Sequence, residues 1–218
     1  MVCSPEQFLM AKYPLVLFDF DGTLGDTLPW FQSVFHVVGE KYGCKKLSKA
    51  ELEKLRDCSS KQVLKKLGVP FWKVPLMGNE ILKLMASHLK ETQLFPGTTS
   101  LLKELTAKGA IVGIVSSNSY ENISQILGAE NMARIGYHEC GVSMFGKASK
   151  LKKVLRASGI PSCQAIYIGD ELRDLEAAKT ARVAFGAVSW GYNSPEALKR
   201  RCPNEMFLSM EEIVQKCC

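Results

Sequence analysis

The chain has 218 residues, 46% hydrophobic and 23% charged, which suits one well-buried core with a smaller addition rather than two full-sized independent domains. No apolar stretch approaches the roughly 20 residues of a membrane span, so a soluble protein with no membrane partner is expected. The formal charge of +6 comes from lysines dispersed along helix-like segments such as 45–66 and 147–153, without interleaved aromatics. That pattern predicts no nucleic-acid partner, while a modest positive field suits an anionic small substrate.

Residues Met1 to Glu6 contain neither the basic nor the apolar segment of a secretion signal, which points to a cytoplasmic location. The eight cysteines (Cys3, Cys44, Cys58, Cys140, Cys163, Cys202, Cys217 and Cys218) show no Cys-x-x-Cys spacing. They read as free thiols in a reducing compartment rather than zinc ligands.

The first element is the apolar run Leu15-Val16-Leu17-Phe18, too short for a helix and followed at once by polar residues and Gly22. It predicts a strand buried on both faces. From about residue 29 to residue 93 such runs disappear and the apolar spacing becomes helical. Phe31, Val34, Phe35 and Val38 form one stripe and Ile81, Leu82, Met85 and Leu89 another. Ser48 and Glu51 have capping-box spacing and mark a helix start. Phe95-Pro96-Gly97 returns the chain to strand and helix alternation.

Helices are predicted over Thr98–Lys108, Tyr120–Leu127, Ser149–Ser158 and Leu172–Thr180, with Gly109, Gly128 and Gly159 at expected helix stops. Strands are predicted over Ala110–Val115, ending at Ser116-Ser117-Asn118, over Ala165–Ile168, ending at Gly169-Asp170, and over Val183–Val188. Trp190-Gly191-Tyr192 follows as a loop on the same rim. Buried-type strands ending in phosphate- or metal-binding residue types, with helices between, describe an α/β fold with a parallel sheet whose strand carboxyl ends form a site.

Asp19 and Asp21 stand two apart after the first strand, with Gly22-Thr23 allowing a tight turn, so both carboxylates can face one reacting centre. Asp19-Phe20-Asp21-Gly22-Thr23-Leu24 resembles the Asp-x-Asp-Gly-Thr signature of the haloacid dehalogenase-like (HAD) superfamily. Ser116 after a later strand, Lys147 in Phe145-Gly146-Lys147, and Gly169-Asp170-Glu171-Leu172-Arg173-Asp174 resemble the three further motifs of that superfamily, in order.

The resemblance implies a Rossmann-like core of residues 1–28 and 94–218 with a helical cap of residues 29–93 inserted after the first strand, most like the phosphoglycolate phosphatase-type branch. It implies a magnesium-dependent phosphatase acting on a small phosphorylated substrate. Asp19 would be the nucleophile that accepts the phosphoryl group, and Asp21 the general acid and base. Lys147 would balance phosphoryl charge and Ser116 would bind a phosphoryl oxygen, with Ser117 and Asn118 as adjacent alternatives. Magnesium would be held by Asp19, the Asp21 carbonyl and Asp170, with Asp174 a direct or water-mediated ligand.

Related phosphatases often carry Lys-Pro where this chain has Lys147-Ala148, which makes Lys150 a rival for the lysine role. Gly146 favours Lys147, because it permits close approach. In the cap, Arg56 could pair with a substrate carboxylate, near Ser59, Ser60 and Lys61; a surface role is the competing reading. Trp30, Trp72 and Trp190 either line the cleft or fill the core, and His36, His88 and His138 lack metal-ligand spacing. A phosphomutase shares the aspartyl-phosphate and is the nearest alternative. A dehalogenase leaves Asp21, Asp170 and Asp174 without a task, a phosphonatase needs a suitably placed cap lysine, and a non-catalytic binding module does not need these carboxylates. Nothing in the sequence fixes an oligomeric state.

Overall fold

A computed structural model describes residues 11–142 and 146–218. The start of the chain with Cys3, and Phe145, lie outside the described residues. In chain order the elements are β1 (Leu15–Phe18), β2 (Gly25–Asp26), α1 (Leu28–Tyr42), α2 (Lys49–Leu55), α3 (Ser60–Leu67), α4 (Val74–Ser87), β3 (Gln93–Leu94), α5 (Thr98–Ala107), β4 (Ile111–Val115), α6 (Tyr120–Met132), β5 (Ile135–Glu139), α7 (Lys147–Ser158), β6 (Ala165–Gly169), α8 (Leu172–Ala181), β7 (Ala184–Val188), α9 (Pro195–Lys199), β8 (Glu205–Phe207) and α10 (Met210–Cys217).

Six strands form one sheet in the order β5-β4-β1-β6-β7-β8, with every neighbouring pair parallel. β1 lies inside the sheet between β4 and β6, and the later strands are added first on one side (β4, β5) and then on the other (β6, β7, β8), an order reversal that opens a crevice at the strand carboxyl ends. All four residues of β1 are fully buried because helices cover both faces. Val16 and Phe18 pack with Leu101, Leu105, Ile123 and Ile213 on one face. Leu15 and Leu17 pack with Leu151, Val154, Leu175 and Ala178 on the other.

Between β1 and β4 the chain inserts the helices α1 to α4, which bury their own small core around Val38, Leu67, Val69 and Met77. The two-stranded β2–β3 ribbon closes the base of this insertion by pairing Gly25 with Leu94 and Asp26 with Gln93. Ser48 and Glu51 form the expected capping box at the start of α2.

Several details differ from the sequence reading. Gly128 kinks α6 at φ 75° instead of ending it, because one left-handed residue can interrupt a helix that tertiary packing resumes. α7 begins at Lys147, two residues before the expected Ser149. Trp72 is 67% exposed and leaves the cleft to other side chains, whereas Trp30 is buried. Trp190 packs at the edge of the sheet core and donates to Thr23 O at 3.1 Å. The seven described cysteines are free thiols. Among the described residues no helix is long and apolar enough to cross a membrane.

Candidate active site

The turn after β1 places the two carboxylates. Phe20 is fully buried in the core, so backbone alternation sends Asp19 and Asp21 to the opposite side. The Thr23, Leu24 and Gly25 amides all donate to Phe20 O. Gly22 sits at φ +74°, and a Cβ there would lie 2.3 Å from Asp170 Oδ2. Only glycine meets both demands, so Gly22 lets the first and last motifs approach.

Asp19 is 1% exposed, and its Oδ1 accepts from the Phe20 amide at 2.8 Å. Its Oδ2 is 2.5 Å from Lys147 Nζ, which also reaches Asp174 Oδ1 at 2.5 Å. Burial opposes the Lys147 ammonium, but Asp174 and Asp19 overcome it and hold its pKa above the usual lysine value. Lys150 turns elsewhere, donating to Ser116 O at 2.9 Å and Gly141 O at 2.8 Å.

Asp170 and Asp174 are both fully buried. Asp170 accepts from Thr23 Oγ1 at 3.0 Å and from the Tyr192 amide at 2.7 Å. Asp174 accepts from the Glu171 amide at 3.1 Å as well as from Lys147. Burial pushes the Asp170 carboxyl well above the usual range, and the neighbouring charges of Glu171, Asp174 and Asp19 add to it. Carboxylate oxygens of Asp19, Asp170 and Asp174 lie within 4.8 Å of one another, a group able to hold a metal ion.

Ser116 is buried, and its Oγ accepts from the Asn118 amide at 3.2 Å. Among the described residues the buried Ser117 hydroxyl has no hydrogen-bond partner, and Ser117 lines the same cavity as Asp21. A buried hydroxyl in that position can still take a hydrogen-bond partner from the cavity. Asn118 is committed within the protein. Its Nδ2 donates to Asp21 Oδ1 at 3.0 Å and to Met85 Sδ at 3.1 Å, and its Oδ1 accepts from the Ser119 amide and from Asn122.

The cavity measures about 1060 Å³ and lies between the sheet rim and the insertion. Asp21, Ser117, Asn118 and Tyr192 line it on one side, and apolar residues such as Phe31 and Met85 on the other. Arg56 lies 31% exposed at its edge. All three of its nitrogens are engaged: Nε with Tyr192 O and Nη2 with Gly191 O at 3.2 Å, and Nη1 with Glu53 at 3.0 Å. His36, His88 and His138 are not part of the Asp19, Asp170 and Asp174 group and lie against Glu40, Leu84 O and Tyr120 respectively.

Burial first, and the Asp19 charge second, push the Asp21 carboxyl up to about 7, while hydrogen bonds from Asn118 and Thr27 pull it partly back. Its folded pKa thus exceeds the unfolded value of about 3.9. The stabilisation this gives is complete below pH ~4 and is lost as pH rises toward 7. Asp21→Asn is therefore expected to raise stability above pH 7 by on the order of 1–2 kcal/mol, discounted for the partial exposure of Asp21. At pH 4 it should change little. Thermal melts in chelator at pH 4.5 and pH 8 check this; an equal gain at both would refute the charge explanation.

The sequence reading missed Tyr192 and Asn193. The Tyr192 amide holds Asp170, and its Oη lies 3.0 Å from Thr27 Oγ1. Asn193 donates to Arg56 O at 2.6 Å and Cys58 O at 3.0 Å, and its Oδ1 accepts from the Leu172 amide at 2.8 Å. The only signal was the rim loop Trp190-Gly191-Tyr192 after a buried strand.

The chain matches the family described as haloacid dehalogenase-like hydrolase over residues 16–188. It is 28% identical over 201 residues to the phosphoglycolate phosphatase of Synechococcus elongatus, covering 92% of this chain and 95% of that one. It is also 28% identical over 197 residues to the N-acetylmuramic acid 6-phosphate phosphatase of Pseudomonas aeruginosa, with 83% and 84% covered. A solved structure from Lactobacillus plantarum, provisionally described as a phosphoglycolate phosphatase, superposes with a TM-score of 0.79 at 26% identity, covering 95% of this chain and 100% of that one. With the family match running from β1 to β7 and including Asp19, Asp21, Ser116, Lys147, Asp170 and Asp174, the chain belongs to the haloacid dehalogenase-like hydrolases.

Proposed function

We propose that this protein is a magnesium-dependent phosphatase that hydrolyses a small phosphate monoester through an aspartyl-phosphate on Asp19. The observation that carries the reading is the charge balance at the strand ends. Three buried carboxylates converge there, with Lys147 the cation bonded to two of them. A hard, oxygen-only donor set with excess negative charge fits magnesium, which prefers carboxylate and phosphate oxygens. Asp19 and Asp170, with the Asp21 carbonyl, would hold it, and Asp174 would bind directly or through water. When bound, magnesium supplies positive charge that lets a phosphate approach a carboxylate.

In this reading one Asp19 oxygen attacks phosphorus while the other stays on Lys147. The carboxyl of Asp21, raised to about 7, supports a group protonated often enough near neutrality to give its proton to the leaving oxygen. The resulting carboxylate then takes a proton from the water that hydrolyses the acyl phosphate. Asn118 fixes the Asp21 side chain, and the Ser117 hydroxyl, without a partner among the described residues, would donate to a phosphoryl oxygen. Ser116 would act from beside it.

The phosphates named for the two curated relatives both carry a carboxylate, so phosphoglycolate heads the substrate panel. The cavity of about 1060 Å³ has room for larger leaving groups, so sugar phosphates and nucleotides belong on it too. Hydrolysis of an aryl phosphate is expected with magnesium, together with loss of activity in chelator and its return on adding metal. No turnover at any magnesium concentration would sink the enzyme reading.

A further inference from the structure

The insertion meets the sheet rim through hydrogen bonds that run in both directions. From the insertion, Arg56 donates to the carbonyls of Gly191 and Tyr192. From the rim, Asn193 Nδ2 donates to Arg56 O and Cys58 O, the Ser194 amide donates to Arg56 O at 3.0 Å, and the Ser194 hydroxyl donates to Asp57. Both the side chain and the backbone of Arg56 are thereby used at this contact, although the residue lies more than 130 positions away in sequence, with separations of 135 and 136.

The same rim loop holds the metal-site carboxylate on its inner side. The Tyr192 amide donates to Asp170 Oδ2 at 2.7 Å, and the Asn193 amide to Asp170 O at 3.3 Å. Gly191 lies so close that a Cβ there would stand 2.1 Å from Asp170 Cβ. The peptide planes of 191 and 192 therefore carry Arg56 on their carbonyl oxygens and Asp170 on an amide. A rotation that frees the carbonyls from Arg56 also moves the amide on Asp170, because each peptide unit is planar.

We propose that Arg56 is a positioning residue: by clamping the Gly191 and Tyr192 carbonyls it fixes the Tyr192 amide on Asp170, so that docking of the insertion and magnesium binding are energetically coupled. The coupling is reciprocal, so magnesium tightens the docked state as much as docking tightens magnesium. This role differs from a contact between Arg56 and a substrate carboxylate. It acts before substrate arrives and does not depend on the leaving group. It rests on the reading of Asp170 as a magnesium ligand.

The test uses the full chain without substrate. Magnesium is titrated calorimetrically into wild type, Arg56→Ala and Arg56→Lys, and amide hydrogen exchange is followed over residues 191–194. Arg56→Ala should weaken magnesium binding about fivefold or more and speed exchange at Tyr192 and Asn193. Arg56→Lys, which can reach one carbonyl, should recover part of both. In turnover, Arg56→Ala should lower kcat/KM by the same factor for phosphoglycolate and for an aryl phosphate lacking a carboxylate. Equal magnesium affinity in wild type and Arg56→Ala would overturn the coupling alone, as would a kcat/KM loss confined to carboxylate-bearing substrates. Wild-type protein that binds no magnesium would overturn the metal reading and the coupling with it.

Discussion

Asp19→Asn is expected to lower phosphatase turnover by at least about 10⁴-fold while the protein stays folded. The amide retains an oxygen for the Phe20 amide, which now donates to Asp19 Oδ1 at 2.8 Å. It cannot attack phosphorus as a carboxylate does, so in the proposed mechanism no acyl phosphate would form for water and Asp21 to act on. Folding is protected by two local effects. Lys147 keeps its bond to Asp174, and the crowding of three buried carboxylates is relieved by one charge. The measurement is phosphate release together with mass detection of the phosphoenzyme after acid quench. Wild type should show the added phosphoryl mass on the peptide containing Asp19 and the variant should not. Turnover near the wild-type rate would remove Asp19 from the nucleophile role and with it the proposed mechanism.

The parts of the fold legible in sequence are those where burial is two-sided. Leu15–Phe18 and Ala165–Gly169 are covered on both faces and read as unbroken apolar runs. β5 escaped notice because an edge strand with partly exposed faces, Ile-Gly-Tyr-His-Glu, carries no such run. β8, with three residues at the other edge, is too short for any period to show. The same logic separates the site residues. Asp19, Asp21 and Asp170 follow buried strands directly, so their placement comes with the strand. Lys147 and Lys150 lie three apart on α7 and share much of a face, so spacing alone could not divide their roles. The first turns to Asp19 and Asp174 and the second to backbone carbonyls. Asn118 and Asn193 meet partners 97 and 137 residues away. Such contacts have no local signature, and only the assembled sheet brings them together.

Lys147→Met keeps most of the stem volume while removing the charge, and is expected to cost the metal-free protein about 3–5 kcal/mol near pH 7.5. The lysine is 3% exposed and bonded to two carboxylates, so its loss leaves Asp19 and Asp174 buried without the cation bonded to both, with only the more distant charge of Arg173 to offset them. The sign of the pH dependence follows from Asp174. Burial already raises its carboxyl, and Lys147 is the first influence pulling it back; without the lysine it rises further above its unfolded value of about 3.9. A folded pKa above the unfolded one favours the protonated state, so the variant is relatively best below pH ~4 and loses stability as pH rises toward neutrality. The deficit against wild type should therefore be small at pH 4.5 and large at pH 7.5. Magnesium, if it binds the same carboxylates, should restore part of the stability at neutral pH without restoring turnover. Turnover should stay lower by about 10²–10³-fold, since the proposed mechanism puts this fixed positive charge beside the transferring phosphoryl. Chemical denaturation at the two pH values, with and without magnesium, measures all of this. An equal deficit at pH 4.5 and pH 7.5 would mean that Lys147 stabilises the fold through its packing, and the charge-balance account of the site would fail.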